Sequence, residues 1–304
     1  MEIRVASRGI AGNLARCIIV LCSMLALNTS ADLIVDLGLA KNFTFLDIGL
    51  HPTSNMLIKK GTFKCNVGWA GGTRTKVELN GTLDGDIYRT VGSSLKLKGG
   101  TLLGTDNEVS SMQEYIDAVD FAVAQFGSLT QDIYLGDIDQ SGGLTINRTD
   151  EYTVVDIDSL KLSSGTLTLN GQADDIFYIR VSNVFDLSNV DIVVNGTDAS
   201  RVFFIYDGDS DFSYDGGDFL GTIVAPNAAV TLSKIHSFDG SVISGNGFSI
   251  SGKTRNTVFV PEPAVLSLIG LFGGGMISVR RIFKGNSAVL AHGLPRMLEA
   301  DTVF

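Results

Sequence analysis

Two acidic runs carry the metal-ligand spacing of this chain. Asp207-Gly208-Asp209-Ser210-Asp211, with Asp218 eleven residues beyond Asp207, sets oxygens at positions 1, 3, 5 and 12 of a loop, the spacing that holds a hard cation such as Ca2+. Position 6, which needs glycine for the turn, is Phe212, and no flanking helices are evident. Asp137-x-Asp139-x-Ser141-Gly142 supplies that glycine, but Arg148 stands at its position 12. Acidic turn residues on an acidic surface explain both runs equally well, so no metal site is assigned and Ca2+ is the single cation kept in view. Asp174-Asp175 could mimic the acid pair of a polysaccharide-cleaving β-helix enzyme, although adjacent carboxylates before a strand are ordinarily solvated. The three histidines are His51, His236 and His292, and no nucleophile elbow, metal-binding His pair, phosphate loop or dinucleotide fingerprint is present. The residues point away from catalysis.

The ends of the chain carry a different chemistry. Pro261-Glu262-Pro263 forbids helix and leaves an extended, accessible segment. The uncharged run 264–279 follows, and then the basic cluster Arg280, Arg281 and Lys284. An apolar helix that enters lipid while its basic end resists crossing fits this order. At the other end Arg4, Arg8 and Arg16 precede the apolar Cys17 to Leu27 and the small residues Thr29-Ser30-Ala31. That is the make-up of a secretory signal peptide, residues 1–31, cleaved after Ala31. The expected product is exported. Cys17 and Cys22 leave with the signal, so Cys65 has no disulfide partner and is expected as a buried core thiol. Between 32 and 260 there are 29 acidic and 16 basic residues, a net of −13. Such a surface argues against nucleic acid and against direct adhesion to anionic lipid.

Residues 32–257 are long enough for one sizeable core. Apolar–polar alternation marks many short strands: 77–83, 86–91, 95–102, 160–169, 176–181, 190–194, 202–206, 219–225, 229–232, 242–244 and 248–251. Gly, Asn, Asp and Ser clusters separate them, as in a sandwich, a barrel or a solenoid, and no clean repeat length is visible. One segment differs. Ser111-Met112-Gln113-Glu114 opens like a capping box, and Met112, Ile116, Val119, Val123 and Phe126 recur at helical spacing, with Tyr115 and Ala122 widening the stripe. Gly127 stands where a left-handed C-cap is expected. A helix of about four turns must therefore lie against a sheet.

Three resemblances follow. Pro261-Glu262-Pro263, the apolar run and the arginines together resemble the PEP-CTERM sorting signal, here 258–284, with residues 285–304 a further tail of unassigned role. That resemblance implies an exosortase-type processing protease, a transient membrane anchor, and delivery to the cell surface or an exopolysaccharide and biofilm matrix. The segment 36–46 (DLGLAKNFTFL) resembles the opening of the bacterial ice-binding-protein-like family. Gly143-Leu144-Thr145, Leu167-Thr168-Leu169-Asn170-Gly171, Val193-Val194-Asn195-Gly196 and Phe219-Leu220-Gly221-Thr222-Ile223-Val224-Ala225 follow in the family's order around the helix. The related choice-of-anchor A domain shares the style of 221–232 (GTIVAPNAAVTL). Both imply a mostly β fold, an irregular triangular β-solenoid with one long helix alongside.

Ice-binding relatives use a flat solenoid face of small polar side chains, because weak contacts add only over a rigid repeating surface. The corresponding candidates here are Thr166, Thr168, Thr222 and Thr231, with Ser163, Ser249 and Ser251. No regular Thr-x-Thr ladder is visible, and Ile235-His236-Ser237-Phe238 sets bulky groups in a strand region. The threonines therefore read first as ordinary solvent-side strand residues. The function expected from the sequence is a non-catalytic, exported surface or matrix protein. Ice binding is the alternative and polysaccharide cleavage the second alternative.

Overall fold

Strands that alternate apolar with polar have one face to bury, and in this chain they bury it against one another around a common axis. A computed structural model describes residues 35–49, 55–72, 75–254 and 258–259. The expected signal peptide, the sorting motif Pro261, Glu262 and Pro263, the basic cluster Arg280, Arg281 and Lys284, and the tail lie outside the described residues. Every strand pairing is parallel. The fold is a β-solenoid whose coils turn through three faces in the same order.

The first face stacks, from one end of the rod to the other, Ile133–Tyr134, 152–157, 176–181, Val202–Tyr206, 219–225, 238–244, Phe45–Asp47, Val67–Trp69, Ile87–Thr90 and Asp106–Val109. The second, a long open face, runs from Asp137–Gln140 through 159–162, 184–188, 212–217, 230–235, Phe248–Gly252, 55–59 and 76–80 to Ser94–Leu97. The third carries Leu144–Asn147, Gly165–Asn170 and Val190–Asn195 at one end, and 62–63, 82–83 and Thr101–Leu102 at the other. Coil order is not chain order. From Phe45–Asp47 in the middle of the rod the described path builds to one end at Asp106–Val109, returns along the side as the helix, and resumes at the far end. It then builds back until 242–244 pair with Phe45–Asp47. We call that closure the seam.

Inward side chains fill the axis with rings. Phe185 stacks on Phe212 at 3.8 Å between centroids, and Phe45 meets Phe248 at 4.8 Å and Phe238 at 5.7 Å across the seam. Cys65 is buried as expected, and burial pushes its thiol up to about 12. Corners need unusual backbone. Gly217 has φ +114°, and a Cβ there would lie 2.2 Å from the Val190 carbonyl oxygen of the coil below, so only glycine fits.

Helix α1 (Gln113–Ser128) covers the first face and gives it a second apolar layer. Met112, Val119, Ala122 and Phe126 bury against Leu46, Val154, Tyr178, Phe203, Ile205, Val224 and Ile243. Its stripe matches the predicted one, but its ends do not. Ser111 Oγ accepts the N–H of Gln113 (3.0 Å) rather than that of Glu114. Gly127 lies within the helix, not beyond it, and the chain leaves through an extended Leu129. The left-handed cap is unnecessary because Arg180, from the first face, donates to the carbonyls of Phe126 and Leu129 at 3.0 Å each.

Strand limits also differ from the expectation. The alternation over 160–169 belongs to two strands, Tyr152–Leu162 and Gly165–Asn170, on different faces. The segments 229–232 and 242–244 are the two ends of one long strand, Val230–Ser244, that crosses a corner.

Candidate functional site

The predicted threonines do not share one surface. Thr166 and Thr168 project outward from Gly165–Asn170 on the third face, alternating with the buried Leu167 and Leu169. Thr231 lies on the long face. Thr222 lies on the helix-covered face, almost buried, with its hydroxyl 3.2 Å from that of Ser241. The tetrad is corrected to a pair.

Around that pair the register assembles an array that sequence spacing did not reveal. Thr145, Thr168 and Val193 are consecutive partners across the three strands, as are Asn147, Asn170 and Asn195. Strand separation of about 4.8 Å and alternate residues about 6.7 Å apart make this a rectangular mesh. The asparagines are locked: Asn170 Nδ2 donates to Asn147 Oδ1 at 2.9 Å, and Asn195 Nδ2 donates to Asn170 Oδ1 at 2.8 Å. At the other end of the same face Thr62, Thr82 and Thr101 form a further rank. The signal in the sequence was Thr145-x-Asn147, Thr168-x-Asn170 and Val193-x-Asn195. A search for Thr-x-Thr overlooks it.

The long face is less uniform. Ser213, Thr231 and Ser249 align in one rank, but the rank continues to Leu57, Glu78 and Lys96. Glu78 is bracketed by Lys76 and Lys98 at 3.0 Å each, and those bonds hold its carboxyl below the usual range. A surface studded with ion pairs keeps its own hydration and presents no regular mesh. Ile235 and Phe238, expected as bulky intruders, turn inward and are buried.

The acidic candidates are dispersed. Asp137 and Asp139 sit on a strand of the long face, not in a loop. Asp207–Asp211 connect Val202–Tyr206 to Phe212–Ala225, whereas Asp218 lies within that second strand opposite Ser237. Asp175 is buried, paired with Arg148 at 2.7 Å and bonded to the Gln172 N–H, while Asp174 faces Arg201 at 3.2 Å. These two line a shallow hollow of about 500 Å³ with Arg148, Asp150, Glu151 and Gln172. Asp174 and Asp175 each have a cationic partner, and they do not oppose one another across a groove as acid and base must.

A parallel β-solenoid flanked by a helix and carrying a regular polar face defines the class of fold. The chain belongs to the ice-binding-like adhesive domain family, whose profile covers residues 36–254. Its fold is shared with an ice-binding protein from the Antarctic ascomycete Antarctomyces psychrotrophicus, at 18% identity over 74% of this chain and 97% of that one, TM-score 0.50. A glycosylated ice-binding protein from an Arctic yeast matches at 15% identity over 78% and 97%, TM-score 0.52. An ice-binding protein from an Antarctic bacterium of the Flavobacteriaceae matches at 19% over 76% of this chain and 48% of that one, TM-score 0.53. No curated protein matches by sequence. Identities this low speak for the fold alone.

Proposed function

We propose that this chain is an exported, non-catalytic adhesive protein whose third face binds ice. The observation that carries the reading is the locked Thr–Asn mesh of Thr145, Asn147, Thr168, Asn170, Val193 and Asn195 on three parallel coils. Ice binding needs many weak contacts made at once, so the surface must be ordered before it meets its target. Backbone ladders fix the threonines, and amide-to-amide bonds fix the asparagines. Solved structures of the same fold that bear the name ice-binding support the reading.

The proposal includes the delivery route. A cleaved signal at 1–31 exports the chain, and Pro261-Glu262-Pro263 with 264–284 presents it to an exosortase-type protease for release to the surface. A matrix role beside exopolysaccharide is the second reading, favoured by that C-terminal signature and by the net charge of −10.

The test is inhibition of ice recrystallisation by the full-length protein. Wild type should keep crystals small, and Thr168→Tyr should lose most of this activity while its stability stays within about 0.5 kcal/mol. Thr231→Tyr, on the long face, should retain it. An inactive wild type removes the ice reading, whereas loss confined to Thr231→Tyr moves the site to the long face.

A further inference from the structure

Near the corner where the long face passes into the third face, three successive coils bring together groups that the sequence keeps far apart. A carboxylate oxygen of Asp191, one of Asp218 and an imidazole nitrogen of His236 lie within 4.8 Å of one another, and all three side chains are exposed. Two features of the backbone create this. Asp191 Oδ1 accepts the N–H of Asp218 at 3.0 Å, which holds the two aspartates side by side. The ladder between the last two coils pairs Gly217 with Ile235 and Asp218 with Ser237, so His236 is the residue left over in the slip. A bulge of this kind re-aims one side chain out of the strand alternation. Here Ile235 turns into the core and the imidazole turns out beside the carboxylates.

The charges around the cluster are unbalanced. Among the described residues neither Asp191 nor Asp218 is in an ion pair, and Lys234, two residues before His236, is held by Asp215 at 2.7 Å. Adjacent carboxylates repel, and a dication relieves that repulsion. The imidazole selects which one. Calcium and magnesium prefer oxygen-only sets, whereas mixed nitrogen and carboxylate donors suit zinc and its first-row neighbours. His236 is also the single histidine among the described residues, so the one nitrogen ligand in the rod stands beside two unpaired acids.

We propose that Asp191, Asp218 and His236 form a surface site for a divalent transition ion of the zinc type. The three protein ligands leave further positions open to water or to an oxygen ligand from outside. Metal–ligand bonds of about 2.1 Å require the donors to close by small rotations, which exposed side chains permit. The ion ties Val190–Asn195, Phe212–Ala225 and Val230–Ser244 together at the margin of the adhesive face. The site stands independently of whether that face binds ice.

Calorimetry and thermal melting of the full-length protein with ZnCl2, and with CaCl2 at equal concentration, test this. Zinc should bind at one equivalent and raise Tm, and calcium should not. His236→Gln, Asp191→Asn and Asp218→Asn should each weaken zinc by at least about tenfold. None of the three residues is buried, so the metal-free variants should melt at or above the wild-type temperature. Cobalt substitution should give a visible absorption that His236→Gln abolishes. The proposal fails if zinc does not bind, or if it binds His236→Gln as tightly as wild type.

Discussion

Asp47 is wholly buried at the seam, its carboxylate receiving the Ser244 hydroxyl (2.9 Å) and the Gly247 and Gly49 N–H groups (2.7 and 2.8 Å). Burial outweighs these donors and raises its pKa from 3.8 to about 6. In the unfolded chain the proton leaves near the ordinary value, so between the two pH values the folded state holds more protons. The contribution of Asp47 to stability therefore falls as pH rises across that window and levels off above it. The shift corresponds to about 3 kcal/mol at most. Urea unfolding of wild type and Asp47→Asn at about pH 4 and about pH 7.5 checks the sign. Wild type should lose ground to the variant at the higher pH, and an equal gap at both would refute the assignment. Nothing in the sequence around Asp47 marks it as special, because two of its three partners, Ser244 and Gly247, stand about two hundred positions away.

The helix shows what local pattern reveals and where it stops. The stripe Met112, Val119, Ala122 and Phe126 was legible because helical spacing is a property of neighbours. The C-terminal stop was not, because Arg180 supplies it from a strand. Arg180 also forms a two-bond pair with Asp156 (2.5 and 2.9 Å). Arg180→Met leaves helix carbonyls and a half-buried carboxylate without their donor, and should cost about 2 kcal/mol. Hydrogen exchange should rise first over the last turn of α1, and Arg180→Lys should recover part of the loss. Unchanged exchange there would mean that the helix ends without help. The strands follow the same logic. Leu160, Leu162, Leu167 and Leu169 all face the core, yet a corner lies between the pairs, and alternation alone does not distinguish a straight strand from one that turns. The Thr–Asn mesh stayed hidden for a related reason, since its second dimension exists only across strands.

For the whole molecule, the β-solenoid class and the long helix beside it were readable, whereas the order of the coils was not. The seam joins the coils built before the helix to those built after it through Phe45, whose ring touches Phe63, Phe238 and Phe248. Phe45→Ala should destabilise the protein by about 3–5 kcal/mol. It should do so in one transition, with amide protection falling together at Ile87–Thr90 and at 176–181. Loss confined to the coils before the helix would show two independently stable halves. The comparison separates a continuous rod from two rods placed end to end.

That closure has a consequence for how the chain comes to be folded. As synthesis proceeds, Phe45–Asp47 emerges with one hydrogen-bonding edge bare, and the strand that covers it ends at Ser244, nearly two hundred residues later. The early coils therefore have no foundation to stack upon, and no zipper can run from the first turn to the last. The closing coil is among the last pieces to arrive, so a polypeptide of this design stays open and threadable until most of it has been made.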